Sequence, residues 1–241
     1  GYAEWRGRGV MGFLAARERH IDEELQAALR EGLAQVVILG AGYDSRAYRI
    51  PELQTGVRVL EVDHPATQQD KLRRLVKIFG RVPAHVTYVS IDFNCEQLED
   101  RLPAQGYDPG AKTFFIWQGV TYYLEAEAVD ATLEWIARRS GAGSGLVFDY
   151  IDRSVLAGGG RHGEVAGMRR YRGLTGEGLV FGIPDGAIAD FLAARGFRLL
   201  RDIRAEDLRR LYFTGARQDR AVAPGYGIAT AAVQSGQVSA R

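Results

Sequence analysis

Gly40, Ala41 and Gly42 directly follow the apolar run Val36–Leu39, and Glu61 and Asp63 close a second run, Val57–Val62. A glycine turn lets a ligand approach the backbone where no Cβ intervenes. A carboxylate about 20 residues further on, ending the neighbouring strand, is the arrangement that grips a ribose. The chemistry expected here is recognition of a nucleoside-containing cofactor. A pyrophosphate fingerprint asks for a third glycine three residues after the second. Ser45 stands there instead, preceded by Asp44 and followed by Arg46. An acidic loop suits a cationic group better than a diphosphate, which favours S-adenosylmethionine over NAD.

Other chemistry-bearing positions cluster around the same pattern. Arg17 falls on a helical stripe with Leu14, Ile21, Leu25 and Ala28. It must snorkel, pair with a buried glutamate, or reach a ligand carboxylate with its two-pronged donor. Asp92-Phe93 ends the run Val86–Ile91 and offers an acid and a ring to an adenine, or a cap to the next helix. Gln118 follows the run Thr113–Trp117.

The elements that must position these groups read as an alternation. A helix is expected over 9–31, with His20 and Arg19 off its apolar stripe. Pro65 suits the first turn of a second helix capped by Asp63 or His64. Its apolar face is read as Leu72, Leu75, Val76 and Phe79, with Lys71, Arg73, Arg74 and Lys77 outward. A helix over 94–102 follows the third strand, and another spans 125–139. Gly145–Ile151 is a fifth strand, 184–195 a helix, Phe197–Ile203 a strand, 205–211 a short helix and Tyr226–Val233 a last strand. Five strands alternating with helices imply an α/β, doubly wound parallel sheet of seven strands, the final two closing as an antiparallel edge hairpin. Ligands then belong at the carboxyl ends of the strands, near the switch in strand order, where Gly40, Glu61, Asp63, Asp92 and Gln118 converge.

The chain has 241 residues, 46% apolar and 25% charged, with net charge +1. That length fits one domain, divided here into a helical cap (1–34), a cofactor-binding core (35–155), a lid insertion (156–183) and the remainder of the sheet (184–241). The lid is glycine-rich and carries Arg161, His162, Arg169, Arg170 and Arg172. A near-neutral charge argues against nucleic acid or an acidic membrane as partner. Cys95 is the one cysteine, which fits a reducing cytoplasm and a small buried hydrophobe. No apolar run has transmembrane length and no signal-peptide pattern is present, although a chain starting at Gly1 is expected to lack part of its native N-terminus. No residue group has metal-ligand spacing.

The motifs VVILGAGYDSRAYRI, LEVDHPATQQDK, SIDF and WQGVTYYL, in order over about residues 10–150, resemble the leucine carboxyl methyltransferase-like branch of class I S-adenosylmethionine-dependent methyltransferases. That branch includes bacterial polyketide O-methyltransferases. The resemblance implies the Rossmann-like class I sheet and S-adenosyl-L-methionine as cofactor. It places cofactor contacts on Arg17, Gly40, Ala41, Gly42, Asp44, Asp63 (with Glu61 equally placed by strand spacing), Asp92, Phe93 and Gln118. The family's residue after the fourth strand is usually glutamate; Gln118 keeps a hydrogen bond there but brings no charge. Tyr123, with Tyr122 as second candidate, matches the family position near the substrate oxygen.

The function expected is O-methyl transfer to a carboxylate or hydroxyl of a small molecule, such as a polyketide or other secondary metabolite. Arg17 and Tyr123 would position a carboxylate, which is already ionised near neutral pH. A hydroxyl acceptor needs a base, for which His162 is the histidine considered. His64 and His85 read as structural. The alternatives are a protein C-terminal carboxyl methyltransferase, an NAD-linked oxidoreductase and a non-catalytic cofactor-binding protein. The expected partners are a small-molecule acceptor and, at most, a second copy of the chain in a homodimer.

Overall fold

The computed structural model describes residues 9–93, 95–156 and 178–234. Strands β1 (Gln35–Leu39), β2 (Arg58–Asp63), β3 (Val86–Ser90), β4 (Thr113–Trp117), β5 (Gly145–Ile151), β6 (Phe197–Arg204) and β7 (Tyr226–Val233) form one sheet. Their order is β3-β2-β1-β4-β5-β7-β6. The first five run parallel, and β7 is inserted antiparallel between β5 and β6. β1 and β4 are buried at every residue: their apolar runs Val36–Leu39 and Phe114–Trp117 are covered on both faces, and Gln35 Nε2 donates to Thr113 Oγ1 at 3.0 Å. The strand order reverses between β1 and β4, which opens a crevice above their carboxyl ends.

Helices cover both faces. On one side α1 (Val10–Arg30) and α2 (Arg46–Arg49), with the helix Ala205–Tyr212, bury Phe13, Ile21, Leu25, Ala47 and Leu208 against Ile38, Ile116 and Val147. On the other, α4 (Leu98–Arg101) and α5 (Ala126–Arg138), with the helix Ile188–Ala193, bury Leu98, Leu133, Ile136 and Leu192 against Trp117 and Phe148. α3 (Pro65–Phe79) starts as expected: His64 is the N-cap, accepting from the Ala66 amide at 3.3 Å.

Several local expectations need correction. α3 buries Gln68, Lys71 and Leu75, while Val76, Ile78 and Phe79 are exposed. The lysine turns inward because Glu61 on β2 is buried and needs a counter-charge: Lys71 Nζ lies 2.7 Å from Glu61 Oε2. His20 is buried, its Nδ1 at 2.9 Å from the Tyr212 hydroxyl, and Cys95 is exposed. The helix expected over 184–195 is shorter because Pro184–Ala187 form a turn in which Gly186 adopts φ 75°. His85 is structural, placing Nε2 2.8 Å from the Ala47 carbonyl oxygen. Among the described residues no helix is long and apolar enough to cross a membrane, and no group of His, Cys, Asp and Glu could hold a metal ion.

Candidate active site

A cavity of about 490 Å³ lies over the ends of β1 and β4. Its walls are Arg17 and Glu18 of α1, the loop Gly40–Ser45, and Gln118 and Gly119. The loop can exist because Gly40 and Gly42 take φ of 63° and 44°. Gly40 also has no room for a Cβ, which would collide with the Val120 side chain.

Asp63 braces the loop from behind. Its carboxylate accepts from the Gly42 amide, and from the His64 amide at 2.6 Å. Burial pushes the Asp63 carboxyl up from its ordinary range, while those two amides act in the opposite direction. Each oxygen keeps a further lone pair, so the group retains capacity for ribose hydroxyls.

Arg17 reaches the cavity but is not free in it. Its Nη1 donates to Asp149 Oδ2 at 2.6 Å and to the Tyr122 hydroxyl at 3.3 Å. Asp149, in the middle of β5, is wholly buried; it also accepts from the Gly119 amide at 2.6 Å and the Tyr122 hydroxyl at 3.1 Å. Burial alone would disfavour the Arg17 charge, but Asp149 and Tyr122 outweigh it, and the pKa is raised. Burial and the Asp149 charge hold Tyr122 as a phenol, well above its ordinary pKa. Of the expectations for Arg17, the buried ion pair describes its position, with an aspartate of β5 in place of the expected glutamate.

Arg46 ties the glycine loop to α1. It is only 1% exposed, and its Nε donates to Asp22 at 2.8 Å and its Nη2 to Glu18 Oε2 at 2.9 Å. The same side chain pairs with Asp44, whose Oδ1 also accepts from the Arg46 amide at 2.7 Å. Gln118 Nε2 donates to Glu18 Oε1. Three guanidinium groups, Arg17, Arg46 and Arg49, thus stand among four carboxylates, Glu18, Asp22, Asp44 and Asp149, and the cluster beside the cavity carries an excess of one negative charge. Arg17 Nε and Gln118 Oε1 are buried with no hydrogen-bond partner among the described residues. A cationic amino-acid moiety fits this lining, since it supplies both a donor and a carboxylate; a diphosphate does not.

A second cavity, also of about 490 Å³, is lined by Phe93 and Tyr123 together with the start of α5. The segment Gln118–Tyr123 runs from one cavity to the other. Asp92 opens a turn there: its carbonyl oxygen accepts from the amides of Cys95 and Glu96.

The structure therefore gathers Arg17, Gly40, Ala41, Gly42, Asp44 and Gln118 round one cavity, and Phe93 and Tyr123 round the other. Asp63 and Asp92 line neither cavity, and nor does Glu61. Its carboxylate turns away to Lys71 and to the Tyr48 hydroxyl, which donates at 2.9 Å. His162 and the basic lid residues lie outside the described residues. Asp149, Glu18 and Arg46 were not singled out from the sequence as site residues. The one available signal was Asp149, a lone acid in an otherwise apolar strand.

The Glu61 environment carries a testable pH dependence. Burial pushes its carboxyl from 4.5 up to about 7, with Lys71 and Tyr48 opposing. A folded-state value above the unfolded one gives stability that is present below the unfolded pKa and lost as pH rises through the folded one. Chemical denaturation should show wild type losing stability between about pH 5 and about pH 8 relative to Glu61→Gln. Parallel profiles would show that Lys71 keeps Glu61 ionised throughout.

Comparison with known proteins bears on the same region. Residues 2–137 match the family model of leucine carboxyl methyltransferases. YktD of Bacillus subtilis (strain 168), provisionally described as an S-adenosyl-L-methionine-dependent methyltransferase, is 31% identical over 204 residues, 85% of this chain and 67% of that protein. Across eight such curated relatives the chain spans between 45% and 70% of their length. Among solved structures, a provisional S-adenosylmethionine-dependent methyltransferase from Listeria monocytogenes superimposes with TM-score 0.61 at 17% identity, covering 92% of this chain and 99% of that one. Magnesium protoporphyrin IX methyltransferase from Synechocystis PCC 6803, with bound S-adenosylhomocysteine, gives 0.53 at 14% identity, covering 97% and 93%. These two show the fold alone. The family match and the relatives show that this chain belongs to the leucine carboxyl methyltransferase family of S-adenosylmethionine-dependent methyltransferases.

Proposed function

We propose that the chain transfers a methyl group from S-adenosylmethionine to an oxygen, carboxylate or hydroxyl, of a small molecule such as a polyketide. The observation that carries the reading is one electronegative cavity at the ends of β1 and β4, walled by the Gly40–Gly42 loop and by Gln118–Gly119 facing Arg17 and Glu18, with Asp63 from the end of β2 bracing the loop from behind. When bound, the cofactor supplies a sulfonium methyl carbon. Transfer would break its C–S bond, form an O–CH₃ bond and leave a neutral thioether; a hydroxyl acceptor would also release its proton to water.

The protein's contribution is placement. Asp63 and the Gly40–Gly42 backbone hold the ribose end. Arg17, anchored by Asp149, fixes the wall near Gln118. Tyr123, at the second cavity beside Phe93, borders the acceptor. Holding the acceptor oxygen in line with the methyl at near-attack distance removes most of the entropic barrier. Tyr122, buried and hydrogen-bonded to Asp149, supports that geometry and takes no proton.

Calorimetric titration of the chain with S-adenosylhomocysteine and with NADH tests the cofactor half. Micromolar binding of the first and none of the second is expected. Transfer of a labelled methyl from S-adenosylmethionine across a panel of carboxylic acids, phenols and C-terminal peptides tests the acceptor half. Label in a base-labile ester or a stable aryl ether of a small molecule supports the reading; label on peptides alone, or on a nitrogen acceptor, overturns it.

A further inference from the structure

Glu18 sits one position after Arg17, and its side chain is 50% exposed. It has three neighbours: Oε1 accepts from Gln118 Nε2 and lies 4.0 Å from Arg17 Nη2, and Oε2 accepts from Arg46 Nη2 at 2.9 Å. The other acids of the cluster are committed elsewhere. Asp149 is wholly buried under three donors, Asp44 is closed by the Arg46 amide and guanidinium, and Asp22 is shared between Arg46 and Arg49. Glu18 alone among these four combines exposure with a place on the cavity wall beside Gln118. Gln118 in turn keeps a buried Oε1 with no donor among the described residues.

From this geometry we propose that Glu18 is the specificity-determining carboxylate for the cofactor's α-ammonium group. It supplies from α1 the negative charge that Gln118, as a neutral amide, does not bring to the end of β4. The inference rests on the cofactor reading above. Gln118 acts as the relay: its amide nitrogen fixes the Glu18 carboxylate, and its oxygen is left to accept from the same ammonium. Arg46 sets the opposite edge of that carboxylate and so couples the α1 charge to the glycine loop. Asp149 neutralises Arg17, which otherwise would repel a cation at this wall.

The test is a ligand–mutant cycle read by calorimetry. One ligand is S-adenosylhomocysteine; the other is its analogue lacking only the amino group, S-(3-carboxypropyl)thioadenosine. Glu18→Gln should weaken the first about tenfold or more, as for a hydrogen bond to a charged group, and the second by less than about twofold. In the double variant Glu18→Gln/Gln118→Glu the carboxylate returns from the other side of the same contact, and most of the affinity for S-adenosylhomocysteine should return with it. Should Glu18→Gln not fold, Glu18→Asp, which retracts the carboxylate by one methylene, is expected to show the same selective loss. Equal losses for both ligands would overturn the inference and leave Glu18 as a prop for Arg46. Wild type binding neither ligand would instead overturn the cofactor reading on which the inference stands.

Discussion

Replacing Asp149 by alanine is expected to destabilise the protein by about 3–5 kcal/mol, the range for breaking a buried ion pair from one side. The carboxylate is wholly buried and accepts from three donors at once: Arg17 Nη1 at 2.6 Å, the Gly119 amide at 2.6 Å and the Tyr122 hydroxyl at 3.1 Å. Its removal leaves a guanidinium that is only 9% exposed without its partner, and a backbone N–H without an acceptor. Asparagine is not a gentle substitute, because its amide nitrogen would face a donor whichever way it turned. Urea denaturation measures the loss. The double variant Asp149→Leu/Arg17→Met should recover part of it, since it removes both charges rather than one. A loss below about 1 kcal/mol in Asp149→Ala would mean that Arg17 swings out through the cavity and rehydrates.

Replacing Asp63 by alanine should weaken binding of S-adenosylhomocysteine by about 1–3 kcal/mol, roughly fivefold to 150-fold. Two effects act together. Contacts to the ribose hydroxyls are lost, and the Gly42 amide loses the acceptor that holds the glycine loop. Asp63→Asn should fare little better, because both carboxylate oxygens already accept backbone N–H groups and an amide nitrogen cannot. Calorimetric titration with S-adenosylhomocysteine separates the outcomes. Unchanged affinity would show that the ribose is held elsewhere and that Asp63 only braces the loop.

How much was legible beforehand differs by element. β4, β5 and β7 fall on the expected residues, and β1 starts one residue earlier than its expected run Val36–Leu39, because each is a short, largely apolar segment with clear breaks, the mark of a strand covered on both faces. The inward turn of Lys71 was not legible. On helical spacing alone it joins Arg73 and Arg74 on a charged face, and only the approach of Glu61 from β2 makes burial favourable. Arg17 stood out because a charge on an apolar stripe needs an explanation, yet its partner lies 132 residues away on β5. Local pattern carries no information about such a pairing.

The amino-acid order alone determined the alternation of strands and helices, the glycine turn and the carboxylate that ends the next strand. These depend on short-range sterics and on which faces can be buried, and both are written in neighbouring residues. Only the tertiary structure decided which charges meet. It joined Arg17 to Asp149, Arg46 to three acids, and Glu18 to Gln118, and it turned Glu61 away from the site. Electrostatic partners are chosen by packing distance and by the cost of burying an unpaired charge, and these exist only once the sheet has brought distant segments together.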